Sequence, residues 1–304
     1  MLKNFLTGGR KEKMDNELLL FDRLNIIKDT INKYGEDKFY ISFSGGKDST
    51  ILHYLIDLAI PNNHIPRVFI NTGIEYNAIV NFVKDLAKND SRFTFIKPNI
   101  PVKKMLEDYG YPFKSKEHSL YVNTFQNRGI DSRTVQRYLY PSENRKRFCC
   151  PKKLEYQFKE NFNLKISNKC CFKLKKEPIR EYEKQNNKPI AITGMRKSEG
   201  GLRATIKKCV LTDRNGNVIK FHPLLVINED FEQWFIEKYN IKLCDLYYEP
   251  YNFQRTGCKG CPYAINLEEQ LEKMEKYLPN ERKQCEIIWE PIYKEYRRIK
   301  YRLK

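Results

Sequence analysis

A run of hydroxyl, glycine and charged residues, Ser44-Gly45-Gly46-Lys47-Asp48-Ser49, is the part of the chain best suited to phosphate chemistry. Two adjacent glycines let backbone N–H groups approach an anion closely, and a helix that begins beside them directs its positive end at the same anion. Lys47 adds positive charge, and Asp48 is suited to orienting the loop or to holding Mg²⁺. The pattern predicts a phosphate site; a glycine turn without a ligand is the alternative.

Two arginines follow another glycine further along the chain. The segment from Gly194 to Glu199 contains Arg196, and Arg203 lies shortly beyond it. Guanidinium groups bind phosphate or sulfate oxygens through paired hydrogen bonds, so arginines at the end of a strand suit an anion pocket. Because the chain also carries a phosphate loop, we interpret these arginines as part of the same site. A surface loop with solvated arginines is the alternative.

Nine cysteines are present, and their placement is informative. Two adjacent pairs occur at 149–150 and 170–171, and Cys258 and Cys261 form a CxxC. The first residues lack the apolar core of a secretion signal, so we do not expect a disulfide framework. Clustered reduced cysteines indicate metal or cluster ligation more than scaffolding.

Strands alternate with helices along most of the chain. We predict strands at 38–43, 67–73, 93–96 and 189–194, and helices at 15–38, 49–59, 79–87, 171–185, 231–239, 267–278 and 284–301. This alternation predicts an α/β fold, an open parallel sheet with helices on both faces. We expect a leader at 1–14, a nucleotide-binding domain at 15–225 and a mainly helical CxxC region at 226–304. An irregular basic and aromatic insertion is expected at about 110–168, and a hairpin turn at 212–217.

The composition suits a globular protein that meets polyanions. The chain has 304 residues, is 40% hydrophobic and carries a formal net charge of +18. No apolar run approaches the roughly 18 residues needed to span a bilayer, so we expect no membrane partner and a cytoplasmic location. The charge favours nucleotides, tRNA or DNA as partners; a lysine-rich solvated surface is the alternative.

The glycine loop resembles the SGGxDS motif of the PP-loop ATP pyrophosphatases. The resemblance implies a Rossmann-like fold of the adenine nucleotide alpha hydrolase type and an adenine nucleotide, either ATP or one of the adenylyl sulfate (APS or PAPS) type. It makes the nucleotide's α-phosphorus the electrophile. Asn71-Thr72-Gly73 resembles the family's second nucleotide-contacting turn, with Asn71 where the family usually has Asp. The implied nucleotide-binding residues are Ser42, Ser44, Gly45, Gly46, Lys47, Asp48, Ser49, Thr50, Asn71, Thr72, Gly73 and Gly194.

Later motifs are similar to the phosphoadenosine phosphosulfate (PAPS) reductase family within that group. The segment from Gly194 to Glu199, followed by Arg203, resembles the family's GxRxxES…R segment. The resemblance implies catalytic roles for Lys47, Asp48, Arg196 and Arg203, with Mg²⁺ at the phosphates.

Cys170, Cys171, Cys258 and Cys261 resemble the CC…CxxC set that binds a 4Fe-4S cluster in part of this family. A cubane offers four irons, so adjacent cysteines can each ligate a different one. Zinc, or no metal, is the alternative, and the pair 149–150 competes with 170–171. Cys209 is a further candidate for handling sulfur.

The family's reductases carry a nucleophilic cysteine in a Glu-Cys-Gly context near the C-terminus. Here the last cysteine is Cys285, in a Lys-Gln-Cys-Glu-Ile context, which counts against plain sulfonucleotide reduction. Related members use ATP to activate an oxygen and replace it with sulfur, in tRNA thiolation and DNA phosphorothioation. We therefore expect ATP-dependent sulfur transfer to tRNA or DNA, with a sulfur-donor protein such as a cysteine desulfurase. A reductase without the usual cysteine, or a non-catalytic nucleotide- or nucleic-acid-binding protein, is the alternative.

Overall fold

The computed structural model describes residues 8–144 and 149–304, with side chains from residue 16 onward in those ranges. A six-stranded sheet is formed by β1 Phe39–Phe43, β2 Arg67–Ile70, β3 Phe93–Ile96, β4 Ile190–Ile192, β5 Val210–Thr212 and β6 Val218–Phe221. The strands lie in the order β3-β2-β1-β4-β6-β5.

Parallel pairing joins β1 to both β2 and β4, β2 to β3, and β4 to β6. The strand β5 pairs antiparallel with β6 at the edge, across the predicted turn at 212–217. The predicted open α/β sheet is therefore confirmed, with one antiparallel edge strand. The chain runs from β1 outward through β2 and β3, then returns to β4 on the other side of β1. The carboxyl ends of β1 and β4 thus flank a topological switch point, where open α/β sheets bind ligands.

Ten α-helices accompany the sheet in the described part of the chain. They are α1 Gly8–Tyr34, α2 Lys47–Ala59, α3 Asn77–Asn89, α4 Val102–Tyr109, α5 Lys116–Arg128, α6 Arg133–Leu139, α7 Glu177–Asn186, α8 Glu229–Lys238, α9 Leu267–Tyr277 and α10 Pro279–Arg298. A π-helical turn, Phe172–Lys176, occupies the start of the helix predicted at 171–185. Within the described residues, no helix combines the length and the apolar character needed to cross a membrane.

Two predictions of local structure need correction. The helix predicted at 15–38 begins earlier, at Gly8, and ends at Tyr34, because Gly35 adopts a positive φ of 84°. The region predicted as irregular, 110–168, contains α5 and α6. The buried face of α5 includes His118 and Ser119, so its apolar periodicity is weak. The Nδ1 of His118 lies 2.9 Å from the Tyr138 hydroxyl, and its Nε2 lies 2.8 Å from the Gln157 side-chain oxygen. Both buried ring nitrogens therefore have a hydrogen-bond partner.

The contacts divide the chain into two compact units. The sheet unit comprises the described residues up to Ile70, together with Asn77–Ile96 and Ile179–Tyr247. The cysteine unit comprises Asn71–Tyr76, Lys97–Pro178 and Tyr248–Lys304. All six strands belong to the sheet unit, and Cys170, Cys171, Cys258 and Cys261 belong to the cysteine unit.

A polar network fixes the amino ends of β2 and β3 in the sheet unit. Arg67 is fully buried, and its Nη2 lies 2.5 Å from Asp57 Oδ1, while its Nε donates to His53 Nδ1 over 3.0 Å. Arg92 pairs with the same Asp57 and with Asp90. His53, Asp57 and Asp90 are close enough together to hold a cation. The guanidinium groups of Arg67 and Arg92 already bind them. We interpret the network as structural.

Candidate functional site

The predicted phosphate loop connects β1 to α2 at the switch point. Gly45 has a φ of +73°, and a Cβ there would lie 2.8 Å from Ile79 Cγ2 and 2.9 Å from Val83 Cγ2. Only glycine accepts both this backbone conformation and the close approach of α3. Packing against α3 therefore fixes the turn that precedes Lys47.

Hydroxyl groups predicted to contact phosphate hold the loop together in this structure. Ser49 Oγ donates to the Gly46 carbonyl over 2.9 Å and lies 3.0 Å from Ser44 Oγ, and Thr50 Oγ1 donates to the same carbonyl over 3.0 Å. The backbone N–H of Lys47 donates to the Tyr247 hydroxyl over 2.9 Å. This contact was not predicted, because Tyr247 is 200 positions away along the chain.

The glycine and the first arginine of the second motif lie directly beside the loop. A Cβ on Gly194 would stand 2.9 Å from the carbonyl carbon and oxygen of Asp48, so this position also requires glycine. The Nε of Arg196 lies 2.5 Å from Asp48 Oδ1, and Arg196 is only 5% exposed. The structure thus brings together the two motifs that the sequence separates by about 150 residues.

Glu232, in the first turn of α8, completes this arrangement and was not predicted. Its Oε2 lies 3.0 Å from Lys47 Nζ and its Oε1 3.0 Å from Arg196 Nε, and the residue is 1% exposed. Among the described side chains, neither oxygen accepts a hydrogen bond of good geometry. From sequence Glu232 resembles an ordinary acid at a helix start, beside Glu229 and Asp230.

Burial is the main reason why the pKa of Glu232 is raised, to about 8, and the neighbouring Asp48 raises it further. Lys47 and Arg196 oppose this shift. At neutral pH, Glu232 is therefore mostly protonated. Two cations then face one anion, which leaves net positive charge at the loop. We call Lys47, Asp48, Arg196 and Glu232 the charge cluster.

The remaining predicted arginine and the second turn each have their own partners. Arg203 pairs with Glu199 in the 3₁₀ segment Gly201–Thr205, and its side chain is 44% exposed. The Asn71-Thr72-Gly73 turn follows β2 but belongs to the cysteine unit. There the buried Glu75 accepts hydrogen bonds from the Thr72 N–H and hydroxyl, each over 2.8 Å, and Asn71 Oδ1 accepts from the Gly73 N–H over 3.1 Å.

The four predicted cysteine ligands lie close enough together for the charges of three of them to act on the thiol of Cys170. Burial is the main cause that raises the pKa of the Cys170 thiol, and Cys171, Cys258 and Cys261 each raise it further. Lys175 lies close enough to Cys258 to lower the pKa of that thiol, against the larger effect of burial. The Nζ of Lys175 also lies 3.7 Å from Glu75 Oε1, which connects the cysteines to the Thr72 turn.

The four thiols are donors of the type that both zinc and iron–sulfur clusters take. Among the described residues, no three cysteine sulfurs lie within 4.8 Å of one another. One zinc ion with Zn–S bonds of about 2.3 Å would draw its sulfurs closer together than that. A cubane spreads its ligands over four irons and tolerates this spacing.

Three aromatic side chains of α10 hold the CxxC loop. Trp289 Nε1 donates to the Lys259 carbonyl over 3.1 Å, Tyr296 donates to the Pro262 carbonyl over 2.9 Å, and Tyr293 donates to the Gly260 carbonyl. All three are fully buried. The sequence predicted this helix but not its role in positioning Cys258 and Cys261.

Comparison with known families agrees with the motifs. The sequence model of the phosphoadenosine phosphosulfate reductase domain matches residues 38–139 and 132–264, which together span most of the chain. The chain belongs to this family.

Individual relatives are distant. The uncharacterized protein MJ0973 of Methanocaldococcus jannaschii is 27% identical over 268 residues, 85% of this chain and 50% of that protein. The chain thus spans about half the length of this curated relative. Among solved structures, Candida glabrata FMN adenylyltransferase is 15% identical with a TM-score of 0.49, over 85% of this chain and 65% of that one.

Two further solved structures resemble this chain with similar sequence identities and TM-scores. The phosphoadenylyl-sulfate reductase of Candida auris, in its phosphate complex, is 13% identical with a TM-score of 0.46, over 84% of this chain and 98% of that one. The U34-tRNA thiolase NcsA of Methanococcus maripaludis, with its 4Fe-4S cluster, is 15% identical with a TM-score of 0.40, over 91% of this chain and 79% of that one.

Cys285 lies apart from the four predicted cysteine ligands in the chain and packs under the CxxC loop. Cys285 is fully buried, and a Cβ on Gly260 would lie 2.7 Å from its Sγ. Burial raises the pKa of this thiol to about 12. A neutral thiol packed under the CxxC loop is a poor nucleophile.

The competing pair and the lone cysteines have separate surroundings. Cys150 is 4% exposed, and burial raises the pKa of its thiol to about 12, with Glu155 and Lys114 as its strongest charged neighbours. Cys209 is half-buried in the sheet unit, where Arg23 Nη1 lies 3.5 Å from its Sγ. Cys244 is buried.

Proposed function

We propose that this member of the PAPS reductase family binds ATP at residues 44–50 and uses it to activate an oxygen atom of a nucleic acid for replacement by sulfur. Membership of the family supports a nucleotide-dependent role in sulfur chemistry. The charge cluster supports the choice of residues, because it places Lys47 and Arg196 at the carboxyl ends of β1 and β4. In this proposal, Ser42, residues 44–50 and Gly194 contact the nucleotide.

The charge cluster is the observation that carries the proposal. Lys47 and Arg196 are already desolvated and oriented by Asp48 and Glu232, so an arriving phosphate exchanges one set of anionic partners for another. Because protonated Glu232 leaves the cluster positive, exchange toward a polyphosphate is favourable. Preoriented cations of this kind stabilise charge that develops during a reaction better than water does.

In the first step, an acceptor oxygen donates an electron pair to the α-phosphorus of ATP. The bond from that phosphorus to the bridging oxygen breaks, and pyrophosphate leaves with the bonding electrons. Lys47 and Arg196 neutralise the growing charge on the phosphates, Arg203 assists from its exposed segment, and Asp48 helps to hold the Mg²⁺ of the nucleotide.

In the second step, a hydrosulfide-level donor attacks the acceptor carbon. The carbon–oxygen bond breaks, AMP leaves with the electron pair, and the proton of the hydrosulfide passes to solvent. A donor protein such as a cysteine desulfurase would supply the sulfur as a persulfide, and a thiol reductant would release it as hydrosulfide while being oxidised to a disulfide. Cys170, Cys171, Cys258 and Cys261 would hold a 4Fe-4S cluster with one cysteine on each iron, so the sulfur of the second step would come from the donor and not from an open iron.

The proposal is tested by measuring pyrophosphate release from ATP with Mg²⁺ and sodium hydrosulfide under anaerobic conditions, with and without bulk tRNA or single-stranded DNA. Nucleic acid should stimulate release. Lys47→Gln should lower the stimulated rate by about a hundredfold, the usual cost of losing one charge-stabilising group. Lys38→Gln removes a partly exposed lysine at the other end of β1 and should leave the rate unchanged.

Each alternative makes a different prediction in this assay. Tight binding of adenylyl sulfate without turnover of ATP would replace the proposal with sulfonucleotide reduction. A chain that binds no nucleotide would be a non-catalytic member of the family. Release that is the same with and without nucleic acid would exclude nucleic acid as the acceptor.

A further inference from the structure

A cavity of about 530 Å³ lies in the cysteine unit beside Cys171. Its size falls within the range of small-ligand sites, roughly 300–1,000 Å³. Its described lining residues include no carboxylate but include four lysines: Lys116, Lys169, Lys173 and Lys176. The cavity is therefore large enough for one nucleotide and is strongly cationic.

The lysines come from two separate segments. Lys116 begins α5, whereas Lys169 precedes the π-helical turn at 172–176 and both Lys173 and Lys176 lie within it. Lys169 and Lys176 are exposed, and Lys173 pairs with Glu177 over 2.7 Å. The Nζ atoms of Lys169 and Lys173 lie 5.3 and 5.0 Å from the centre of the Tyr109 ring, which also lines the cavity. A chain of phosphates passing between the two segments would meet cations from both.

An aromatic surface adjoins these cations. Phe172 lines the cavity, is 37% exposed and follows Cys171 directly in the chain. Proteins that bind single-stranded nucleic acids combine a positive groove, which follows the backbone, with aromatic rings, on which bases stack. The cavity has both features within one short segment.

We propose that this cavity binds a single-stranded stretch of nucleic acid, with one base against Phe172 and the adjoining phosphates on Lys169 and Lys176. The bound nucleotide then lies beside the thiol of Cys171. This inference rests on the proposed function in taking the nucleic acid to be the acceptor. The exposed lysines on two segments and the net charge of +18 suit an extended polyanion better than a single free nucleotide.

The test is fluorescence polarisation with labelled uridine and thymidine oligonucleotides of about 12 nucleotides, a length within typical single-strand site sizes. The complete chain is titrated at several salt concentrations. Lys169→Gln/Lys176→Gln should weaken binding about tenfold and reduce the slope of log K against log salt by about 1.4, as for two lost phosphate contacts. The charge-matched control Lys276→Gln/Lys283→Gln changes exposed lysines of α9 and α10 and should keep the wild-type slope.

A second pair of variants tests the aromatic surface. Phe172→Leu should weaken binding about tenfold without changing the salt slope, because it removes stacking and no charge. Phe95→Leu, at a 41% exposed phenylalanine of the sheet unit, should bind as the wild type does. Preference for uridine or for thymidine oligonucleotides would identify RNA or DNA as the source of the strand.

Three results would overturn the inference: no binding at low salt, equal weakening by both lysine double variants, or equal affinity for a duplex of the same length. None of them depends on nucleotide turnover. Lys47→Gln should retain oligonucleotide binding, so a failure of the ATP-dependent reaction and a failure of this binding site are distinguishable.

Discussion

The Nζ of Lys47 lies 3.0 Å from Oε2 of Glu232, a carboxyl group that is almost completely buried. The phosphate-loop lysine is therefore already engaged before a nucleotide arrives. Its partner is an acid whose raised pKa makes the ion pair weakest at neutral and low pH. Glu232 thus keeps Lys47 oriented and allows a phosphate to take the place of the Glu232 carboxyl group beside Lys47.

The stability of the fold should depend on pH through Glu232. Its pKa is about 8 in the folded chain against an ordinary value of 4.5, so the folded state binds more protons than the unfolded state between these values. Stability should therefore fall as pH rises through this window, by at most about 1.4 kcal/mol per pH unit. Urea unfolding across the window measures this slope.

Glu232→Gln should remove that contribution, because glutamine stays neutral at every pH. Glu229→Gln, at an exposed acid of the same helical turn, is the matched control and should keep the wild-type slope. Identical slopes for Glu232→Gln and the wild type would show that Glu232 is ionised throughout the window.

Arg196 should be essential to stability as well as to the proposed chemistry. Its Nε contacts both Asp48 and Glu232, and its Nη1 donates to Ser198 Oγ over 3.1 Å. Arg196→Ala leaves two carboxyl groups together without their buried cation, which should lower the free energy of unfolding by roughly 3 kcal/mol. Chemical denaturation of the purified variant measures the loss.

The double variant Arg196→Ala/Glu232→Gln provides the check on this explanation. Removing the second carboxylate should recover part of the loss, because the two sites are in direct contact and their effects are not additive. Strictly additive losses would mean that Arg196 acts through packing rather than through its charge.

Gly194→Ala should displace the start of α2. The added methyl group would stand 2.9 Å from the Asp48 backbone, and such overpacking typically costs about 1–3 kcal/mol. We expect a lower melting temperature and weaker ATP binding, measured by calorimetry. Gly257→Ala is the matched control, because a Cβ there would meet nothing within 4 Å. Equal effects of the two substitutions would contradict the contact between the motifs.

The sequence predicted the sheet and the phosphate loop because both depend on local patterns. The strand β3 was predicted at its observed limits, and the glycine loop lies where its motif required. The contacts of Glu232 and Tyr247 with the loop were missed because they are long-range, with Glu232 close to both Lys47 and Arg196 and the Tyr247 hydroxyl accepting from the Lys47 N–H. No local pattern distinguishes them from an ordinary helix-start acid or a surface tyrosine.

The cysteine unit was predicted less completely, for a related reason. The cysteine spacing predicted a metal or cluster site. The groups that hold this site in place are buried polar and aromatic side chains. Helix α5 buries His118, whose pKa is lowered to about 4 by burial, so its inner face lacks apolar periodicity. The hydroxyl groups that hold the CxxC loop belong to tyrosines, which from sequence alone are consistent with either core or surface.

The four clustered cysteines should be required for iron binding, and the pair at 149–150 should not. After anaerobic purification, single alanine variants of Cys170, Cys171, Cys258 and Cys261 should each lose most of the iron and visible absorbance. Cys149→Ala should keep both. Iron and zinc analysis of the same samples identifies the metal. Loss of iron in Cys149→Ala but not in Cys171→Ala would assign the site to the other pair.

The α10 helix should control how fast the site of the four cysteines releases iron. Tyr293→Phe leaves the buried Gly260 carbonyl without the hydroxyl donor that it has in this structure, which should cost about 1–3 kcal/mol. Because Gly260 lies between Cys258 and Cys261, the variant should also release iron to a chelator faster than the wild type. Tyr140→Phe removes the hydroxyl of a 69% exposed tyrosine in the same unit and should change neither property. A Tyr293→Phe variant with reduced stability but an unchanged rate of iron release would mean that the tyrosine supports the fold without positioning the cysteines.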